Sequence, residues 1–194
     1  VRVTDINNTY TLNDQLYFVG DTVGSSERFL YRTQGSLIIK IDANGDNFNS
    51  PFNFKEFNSF LYFTAIDTLF NREIYRTGGL PSTTKKIIDL NGKPETSSLD
   101  VSYFHYSIFD NELFFPATDG SSIGFDLWKT DGTATGTINP IDNNPGTAGS
   151  NPYQTQYVSN VNKLFFASDF NATGQSNIYS VDFDATKIDT FYND

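Results

Sequence analysis

The clearest chemical signal in the sequence is a loop with oxygen-bearing side chains at alternate positions. In Asp42-Ala43-Asn44-Gly45-Asp46 a carboxylate or amide recurs at every second residue, as it does in loops that hold calcium through oxygen ligands. The segment is not an EF-hand, because glycine stands at its fourth place and no glutamate closes it. The same side chains can instead bond their own backbone in Asx-turns. We expect no cofactor, with calcium as the alternative, and its candidate ligands in two equivalent loops are Asp42, Asn44, Asp46, Asp142 and Asn144.

Catalytic residues are harder to assemble from this sequence. His105 is the only histidine, so a histidine-based metal site cannot form, and no Gly-x-Ser-x-Gly elbow accompanies it. The chain has no cysteine, which excludes disulfides, thiolate metal sites and a cysteine nucleophile. Carboxylates are numerous, so a glycosidase pair is not excluded by counting. We predict a protein that is not an enzyme, with glycoside hydrolysis kept as an alternative.

The net charge of the chain limits the classes of partner that it is expected to bind. Lysine and arginine number 13 against 23 aspartates and glutamates, for a net charge of −10. This balance argues against binding nucleic acid or an anionic membrane surface. No run approaches the roughly 18–20 apolar residues of a membrane helix, so membrane insertion is not expected. The chain starts at Val1 and contains no methionine, and we therefore expect that an upstream segment such as a signal peptide has been removed.

Three short patterns recur four times, in the same order and with a similar period. Each copy contains a leucine followed by two aromatic residues, then an aliphatic-aromatic pair, then Ile-Asp. The leucines of the first pattern are Leu16, Leu61, Leu113 and Leu164. The aromatic residues of the second are Tyr31, Tyr75, Trp128 and Tyr179, and the isoleucines of the third are Ile41, Ile88, Ile141 and Ile188. The repeated aromatic residues are interpreted as packing residues, because a repeated ring fills a repeated gap.

Each repeat reads as four short strands joined by turns. A tight turn precedes each leucine, and it is centred on Asn13-Asp14, Asn58-Ser59, Asp110-Asn111 or Val161-Asn162. Four antiparallel strands at a period of about 40–50 residues are typical of a β-propeller blade. We therefore predict an all-β fold over residues 1–194, a single β-propeller domain or segment with almost no helix.

The four blades are expected near residues 7–48, 49–95, 96–147 and 148–194. Residues 1–6 resemble a further strand that belongs to a preceding or closing blade. This surplus strand favours a slice of a larger propeller, and a closed four-bladed ring is the alternative.

One repeat also resembles a known family. Asp126-Leu127-Trp128-Lys129-Thr130-Asp131-Gly132-Thr133 closely resembles the ELWxxDGT repeat of large exported bacterial proteins, and the segment from Ile141 to Pro152 resembles the Pro/Gly/Ser-containing segment next to that repeat in the family. The match is detailed in the third repeat only, because the second has Gly78-Gly79 where Asp-Gly is expected. The resemblance implies a propeller-like, secreted or surface-exposed protein. The family has no established catalytic residues to carry over.

Two threonines resemble bacterial attachment sites for O-linked sugar. Asp21-Thr22-Val23 and Asp67-Thr68-Leu69 fall in equivalent loops, and each resembles the Asp-Ser/Thr-aliphatic motif that Bacteroidota glycosylate. We predict O-glycosylation at Thr22 or Thr68. A native protein without hexose-sized mass increments would remove this prediction.

The long loops of a propeller built in this way emerge on one rim. They are polar and acidic, and they cover residues 20–28, 66–72, 118–125 and 168–177 together with 42–53, 89–100 and 142–153. Loops on a rigid scaffold are where binding residues concentrate. We therefore expect a non-catalytic, secreted or cell-surface bacterial module for adhesion, scaffolding or binding to a protein partner or the rest of a larger assembly. The alternative is a carbohydrate-binding propeller whose rim aromatics, such as Phe48 and Phe70, hold a glycan.

Overall fold

The protein is all-β. The computed structural model describes residues 3–24, 27–45, 47–90, 99, 105–120, 124–140, 149–168, 176–182 and 188–191. In these residues there is no α-helix, and fifteen strands form four separate antiparallel sheets of three or four strands each. The described residues fall into two compact units, one with the strands of the first two sheets and the other with the rest.

The first unit contains two sheets of four strands, each with its strands in chain order. The first sheet consists of β1 (Val3–Leu12), β2 (Gln15–Thr22), β3 (Arg28–Gln34) and β4 (Leu37–Lys40). The second sheet consists of β5 (Phe48–Phe57), β6 (Phe60–Asp67), β7 (Arg72–Thr77) and β8 (Lys85–Lys86). A single 3-10 turn, Pro81–Thr83, lies between β7 and β8.

The second unit contains a sheet of three strands and a sheet of four. The third sheet consists of β9 (Ser107–Phe109), β10 (Glu112–Ala117) and β11 (Asp126–Thr130). Its expected fourth strand is represented by one bridge, Lys129 to Ile138. The fourth sheet consists of β12 (Tyr153–Val158), β13 (Lys163–Ser168), β14 (Asn177–Val181) and β15 (Ile188–Phe191).

The first hairpin of each repeat turns where the sequence predicts. In the first three repeats two residues with positive φ join the strands, the arrangement of a type I′ turn. Their φ values are 51° and 57° at Asn13-Asp14, 48° and 62° at Asn58-Ser59, and 51° and 56° at Asp110-Asn111. In the fourth repeat the connection has four residues, and only Asn162 has positive φ, at 51°.

The first two sequence patterns occupy equivalent positions in the sheets. The Ile-Asp pattern does not, because the Ile41 N–H donates to the Leu30 carbonyl, whereas the corresponding Ile74 carbonyl accepts from Ile87 and not from Ile88. Ile141 lies outside the described residues. Leu61 pairs with Thr77, Leu113 with Thr130 and Leu164 with Val181. In the first sheet the N–H of Leu16 donates to Thr33 Oγ1 at 3.0 Å. Three sheets stack the same cross-strand rings, with centroids 5.6–5.7 Å apart: Phe18 on Tyr31, Phe63 on Tyr75 and Phe166 on Tyr179. The prediction of one recurring antiparallel sheet is therefore confirmed.

The first strand of three sheets carries a double irregularity that the sequence analysis did not anticipate. Two non-glycine residues three positions apart have positive φ in or just before each strand, at Asp5 and Asn8, Ser50 and Asn53, and Asn151 and Gln154; Asn151 precedes the start of β12 by two residues. Register shifts accompany them in β1, β5 and β12. Such bulges bend and twist a strand without ending it.

The bulges change the interpretation of the first residues. Residues 1–6 were expected to form a strand of another blade, but β1 continues through them from Val3. Val3 and Thr4 pair with Thr22 and Asp21 of β2. A Cβ built on Gly20 would overlap the Val3 side chain, so glycine at this place allows the approach. Residues 1 and 2 lie outside the described part.

The core of the first unit lies between its two sheets. Tyr17, Leu30 and Ile41 of the first sheet and its neighbouring loop pack with Leu61, Phe63 and Tyr75 of the second in one buried cluster. Burying each such side chain contributes about 1.5–3 kcal/mol. An equivalent cluster in the second unit joins the third and fourth sheets, with Phe114 and Leu127 against Leu164, Phe166 and Val181.

A buried arginine joins the two sheets of the first unit beyond the end of β7. Arg32 Nε donates to the carbonyl of Gly79 at 2.7 Å, and its other nitrogens donate to Gln15 and Gln34 at 3.1 and 3.2 Å. Gly79 has φ +92°, and a Cβ there would lie 2.6 Å from Tyr17 Oη. The first sheet thus contacts the backbone of the second directly, and only glycine allows this separation.

Paired threonines close the turns after β7 and β11. Thr77 Oγ1 lies 2.6 Å from Thr84 Oγ1 and accepts the Gly79 N–H, while Thr84 Oγ1 donates to the Leu80 carbonyl. The third sheet repeats this network. Its corresponding residues are Thr130, Thr137, Gly132 and Thr133. Two turns with different sequences, Gly-Gly and Asp-Gly, therefore have one hydrogen-bonding scheme.

Candidate functional site

A pocket in the first unit lies where the loops after β2, β4 and β6 meet. We call it the rim pocket, and its cavity volume is about 460 Å³, inside the roughly 300–1,000 Å³ range of small-molecule sites. Three of the loops that the sequence analysis selected contribute to it. Its lining consists of Glu27, Phe29, Lys40, Asp42, Ala43, Asn47, Phe48, Asn49, Ile66, Asp67, Thr68 and Phe70.

The loop between β6 and β7 is organised by one carboxylate. Asp67 Oδ1 accepts the backbone N–H groups of Leu69 at 2.8 Å and Asn71 at 3.0 Å. The backbone closes the same loop, because the Asp67 N–H donates to the Asn71 carbonyl and the Phe70 N–H donates to the Asp67 carbonyl. Side-chain acceptance of nearby N–H groups is the Asx-turn chemistry that aspartate favours. The loop is therefore held tightly in spite of its exposure.

Lys86 of β8, two strands away in the same sheet, fixes the other oxygen of Asp67. Lys86 Nζ lies 3.0 Å from Asp67 Oδ2 and 3.4 Å from Asp89 Oδ2. Burial by itself raises the pKa of Asp67, but the hydrogen bonds from Asn71, Lys86 and Leu69 outweigh it and hold this pKa below its usual value. Asp67 consequently stays ionised and bound to its partners at neutral pH.

Phe70 stands at the tip of this loop in an unfavourable conformation. Its φ is +64°, a region that glycine and asparagine tolerate and that is an outlier for a bulky residue. Its side chain is 82% exposed, so packing within the protein does not compensate for the strain. Strain of this kind persists when the surrounding structure imposes it, and it concentrates at functional sites.

A cation–aromatic pair forms another part of the wall. Lys40 Nζ lies 3.9 Å from the centre of the Phe29 ring and 2.9 Å from Asp42 Oδ1. The ammonium is therefore neutralised by the carboxylate and held against a ring face. The sequence analysis missed this pair, because recognising it requires the register of β3 against β4.

The two aromatic residues that the sequence analysis named on the rim have different environments. Phe48 is half-buried, and its ring centroid lies 5.1 Å from the centroids of both Phe63 and Tyr75. It belongs to the pocket floor and the edge of the core, whereas Phe70 projects into solvent. Phe70 is thus the aromatic residue available for a partner.

The predicted calcium ligands are only partly described. Asp42 and Asn44 are exposed, and Asp42 binds Lys40, while Asp46, Asp142 and Asn144 lie outside the described residues. Within the described ranges no group of three or more histidine, aspartate or glutamate side chains is arranged to hold a metal ion. Calcium binding stays a prediction.

The remaining candidates can be placed individually. Thr68 is exposed and lines the rim pocket, and Thr22 is half-buried at the end of β2. His105 is exposed and precedes β9. Glycosylation of either threonine stays a prediction. In the described part of the chain, no helix is long and apolar enough to cross a bilayer.

Comparison with known proteins identifies no family for this chain. No family model and no curated protein matches the chain. A solved structure described as a "putative TolB" from Agrobacterium tumefaciens is similar at 10% identity and a TM-score of 0.35. The similarity covers 96% of this chain and 80% of that one, and at this TM-score it carries no argument about function.

Proposed function

We propose that the chain is a non-catalytic binding module that recognises its partner through the rim of the first unit. The observation that carries this proposal is Phe70, which is 82% exposed at φ +64°. A bulky side chain in that conformation lowers stability without gaining contacts, and an exposed aromatic anchor is typical of binding hot spots. The module is exported and acts at or outside a bacterial cell surface, in adhesion, scaffolding or assembly with a partner chain.

We further propose that the four sheets are blades of a β-propeller with more blades than this chain contains. Within each unit two sheets pack through equivalent apolar clusters, as neighbouring blades do. Leu61, Leu113 and Leu164 are fully buried, whereas Leu16 at the equivalent place is 40% exposed. This exposure supports a further blade against the first sheet. The sequence resemblance to the ELWxxDGT repeat points in the same direction.

The state of the Asp67 carboxylate supports a binding role over hydrolysis. A glycosidase needs a carboxylic acid whose pKa is raised so that it can protonate the leaving group. The pKa of Asp67 is shifted downwards, and Asp42 is paired with Lys40. Asp67 therefore holds the structure of the pocket and is unsuited to act as a general acid.

A cell-binding measurement tests the proposed function. Fluorescently labelled chain is titrated onto intact cells of the organism that makes it, and saturable binding is expected. Phe70→Gly is expected to weaken the apparent affinity by about tenfold or more, as loss of a hot-spot aromatic does. The matched control is Leu80→Ala, which removes an exposed apolar side chain at the opposite end of β7 and should bind like the wild type. Absence of saturable binding, or equal binding by Phe70→Gly, contradicts the proposal.

A further inference from the structure

We infer that the rim pocket is a binding site for an uncharged carbohydrate. This inference rests on the proposed function and deepens it by naming the ligand class. It joins three features of the pocket: an exposed ring, a mixed set of hydrogen-bonding groups and one cationic side chain in the described lining, Lys40, that is already paired with a carboxylate.

The exposed ring of Phe70 offers an apolar surface beside the cavity. The C–H face of a sugar ring is apolar, while its rim of hydroxyls is polar, so a sugar suits a site with an aromatic wall and polar groups around it. The volume of about 460 Å³ belongs to the range of small-ligand sites. An extended flat protein interface does not require such a cavity.

The polar lining supplies both donors and acceptors. Lys40 can only donate, Asp42 can only accept, and Asn47, Asn49 and Thr68 can do both. All five line the same cavity. A hydroxyl group both donates and accepts, so a polyhydroxyl ligand matches this mixture better than an ion that needs a single type of partner.

Two ion pairs lie in and behind the pocket. Lys40 is 2.9 Å from Asp42, and Asp67 is 3.0 Å from Lys86. No cationic side chain is thus left over in the described lining to bind a carboxylate or sulfate on a sugar. The overall charge of −10 further disfavours acidic sugars through long-range repulsion.

The pocket is also preorganised. Phe48 is packed against two buried rings, and two N–H groups and one ammonium fix Asp67 and the loop that carries Phe70. Binding of a ligand would therefore cost little for the ordering of these groups, which favours affinity for a small molecule.

The experiment uses recombinant, unglycosylated chain, so that no sugar on Thr68 occupies the pocket. It is applied to a printed array of neutral and acidic glycans, and then titrated with methyl glycosides of glucose, galactose and mannose in saturation-transfer NMR. We expect neutral glycans to bind, and Phe70→Gly and Asn47→Ala to weaken the best of them by about tenfold. Leu80→Ala should leave it unchanged, and the uronic acid form of the same sugar should bind more weakly.

Binding to cells treated with periodate or with trypsin distinguishes failure of this inference from failure of the proposed function. Periodate oxidation of surface sugars should abolish Phe70-dependent cell binding, whereas trypsin should not. If trypsin abolishes binding and periodate does not, the ligand is a protein; the carbohydrate inference then fails and the binding module stands. Absence of glycan binding, or glycan binding that is independent of Phe70, overturns the inference. Absence of any cell binding overturns both.

Discussion

At position 70, a phenylalanine occupies backbone geometry that suits glycine. The loop is closed by Asp67 on one side and by Asn71 on the other, so the chain must turn sharply between them. The turn determines the backbone conformation of residue 70, and that residue is a phenylalanine. The conflict between local preference and imposed geometry is what distinguishes Phe70 from the other exposed apolar residues.

Replacing Phe70 should separate stability from binding. We expect Phe70→Gly to raise the free energy of unfolding by about 1 kcal/mol, because glycine relieves the positive-φ strain. Phe70→Ala removes the same ring but keeps the strain, and it should give no such gain. Urea unfolding followed by far-ultraviolet circular dichroism measures both. A loss of stability in the glycine variant would show that the ring contributes to folding.

The carboxylate of Asp67 should make stability depend on pH in acid. Its pKa is lowered in the folded protein, so its contribution is present above its unfolded pKa and is lost as the pH falls through the lower folded value. Wild-type stability should therefore fall more steeply than that of Asp67→Asn between about pH 5 and pH 2.

At pH 7 Asp67→Asn should cost about 1–3 kcal/mol, since Lys86 loses the nearer of its two carboxylate partners. The measurement is thermal unfolding at a series of pH values. Asp14→Asn, in the exposed turn between β1 and β2, provides the control and should follow the wild-type profile. Parallel profiles for wild type and Asp67→Asn would contradict the assignment.

Among the elements, the contact between sheets at Gly79 is the most sharply constrained. A Cβ there would lie 2.6 Å from Tyr17 Oη and 3.3 Å from Arg32, in addition to the strain at φ +92°. We expect Gly79→Ala to cost about 2–4 kcal/mol. Gly35→Ala is the matched control, because its φ is also positive but its surroundings are open; it should cost about 1 kcal/mol. Equal losses in urea unfolding would mean that the contact is not tight.

The strands and turns were largely predictable from local chemistry. Asn13-Asp14 and Asp110-Asn111 favour the positive φ values of a two-residue hairpin, and the leucine next to each turn fixes the register. The start of β1 was not predictable, because bulges at Asp5 and Asn8 interrupt the alternation on which strand detection depends. Residues 3–6 consequently resemble a separate strand, although they continue the same one.

The candidate site was predictable only in outline. The polar and acidic composition of the long loops indicated that binding residues lie on the rim, and Phe70 was recognisable as an aromatic residue in a polar loop. The contact of Lys40 with the Phe29 ring and the ion pair of Lys86 with Asp67 each join residues of different strands that are separated in sequence. The strain at Phe70 depends on a dihedral angle that no residue pattern reveals. These features arise from the three-dimensional fold and not from local sequence patterns.

On the scale of the whole molecule, equivalent residues should differ in importance according to what covers them. Leu61 is fully buried between sheets, and Leu16 is 40% exposed. We expect Leu61→Ala to cost about 2–5 kcal/mol and Leu16→Ala less than about 1 kcal/mol in this chain. In a longer form of the protein with a preceding blade, the cost at Leu16 should rise towards that at Leu61. Similar small costs at Leu16 in both forms would contradict the additional blade.

The threonine pairs after β7 and β11 bear on how degenerate copies of this unit can be traced. Both copies keep the spacing Thr-x-Gly-x4-Thr, with hydroxyls seven positions apart in contact, while the tryptophan and the aspartate occur in one copy only. Divergence of the repeats can thus change the most conspicuous residues, the tryptophan and the aspartate, while the contact between the two threonines is retained. A sequence profile weighted on the two threonines should therefore recover divergent copies of the repeat that a tryptophan-centred profile misses.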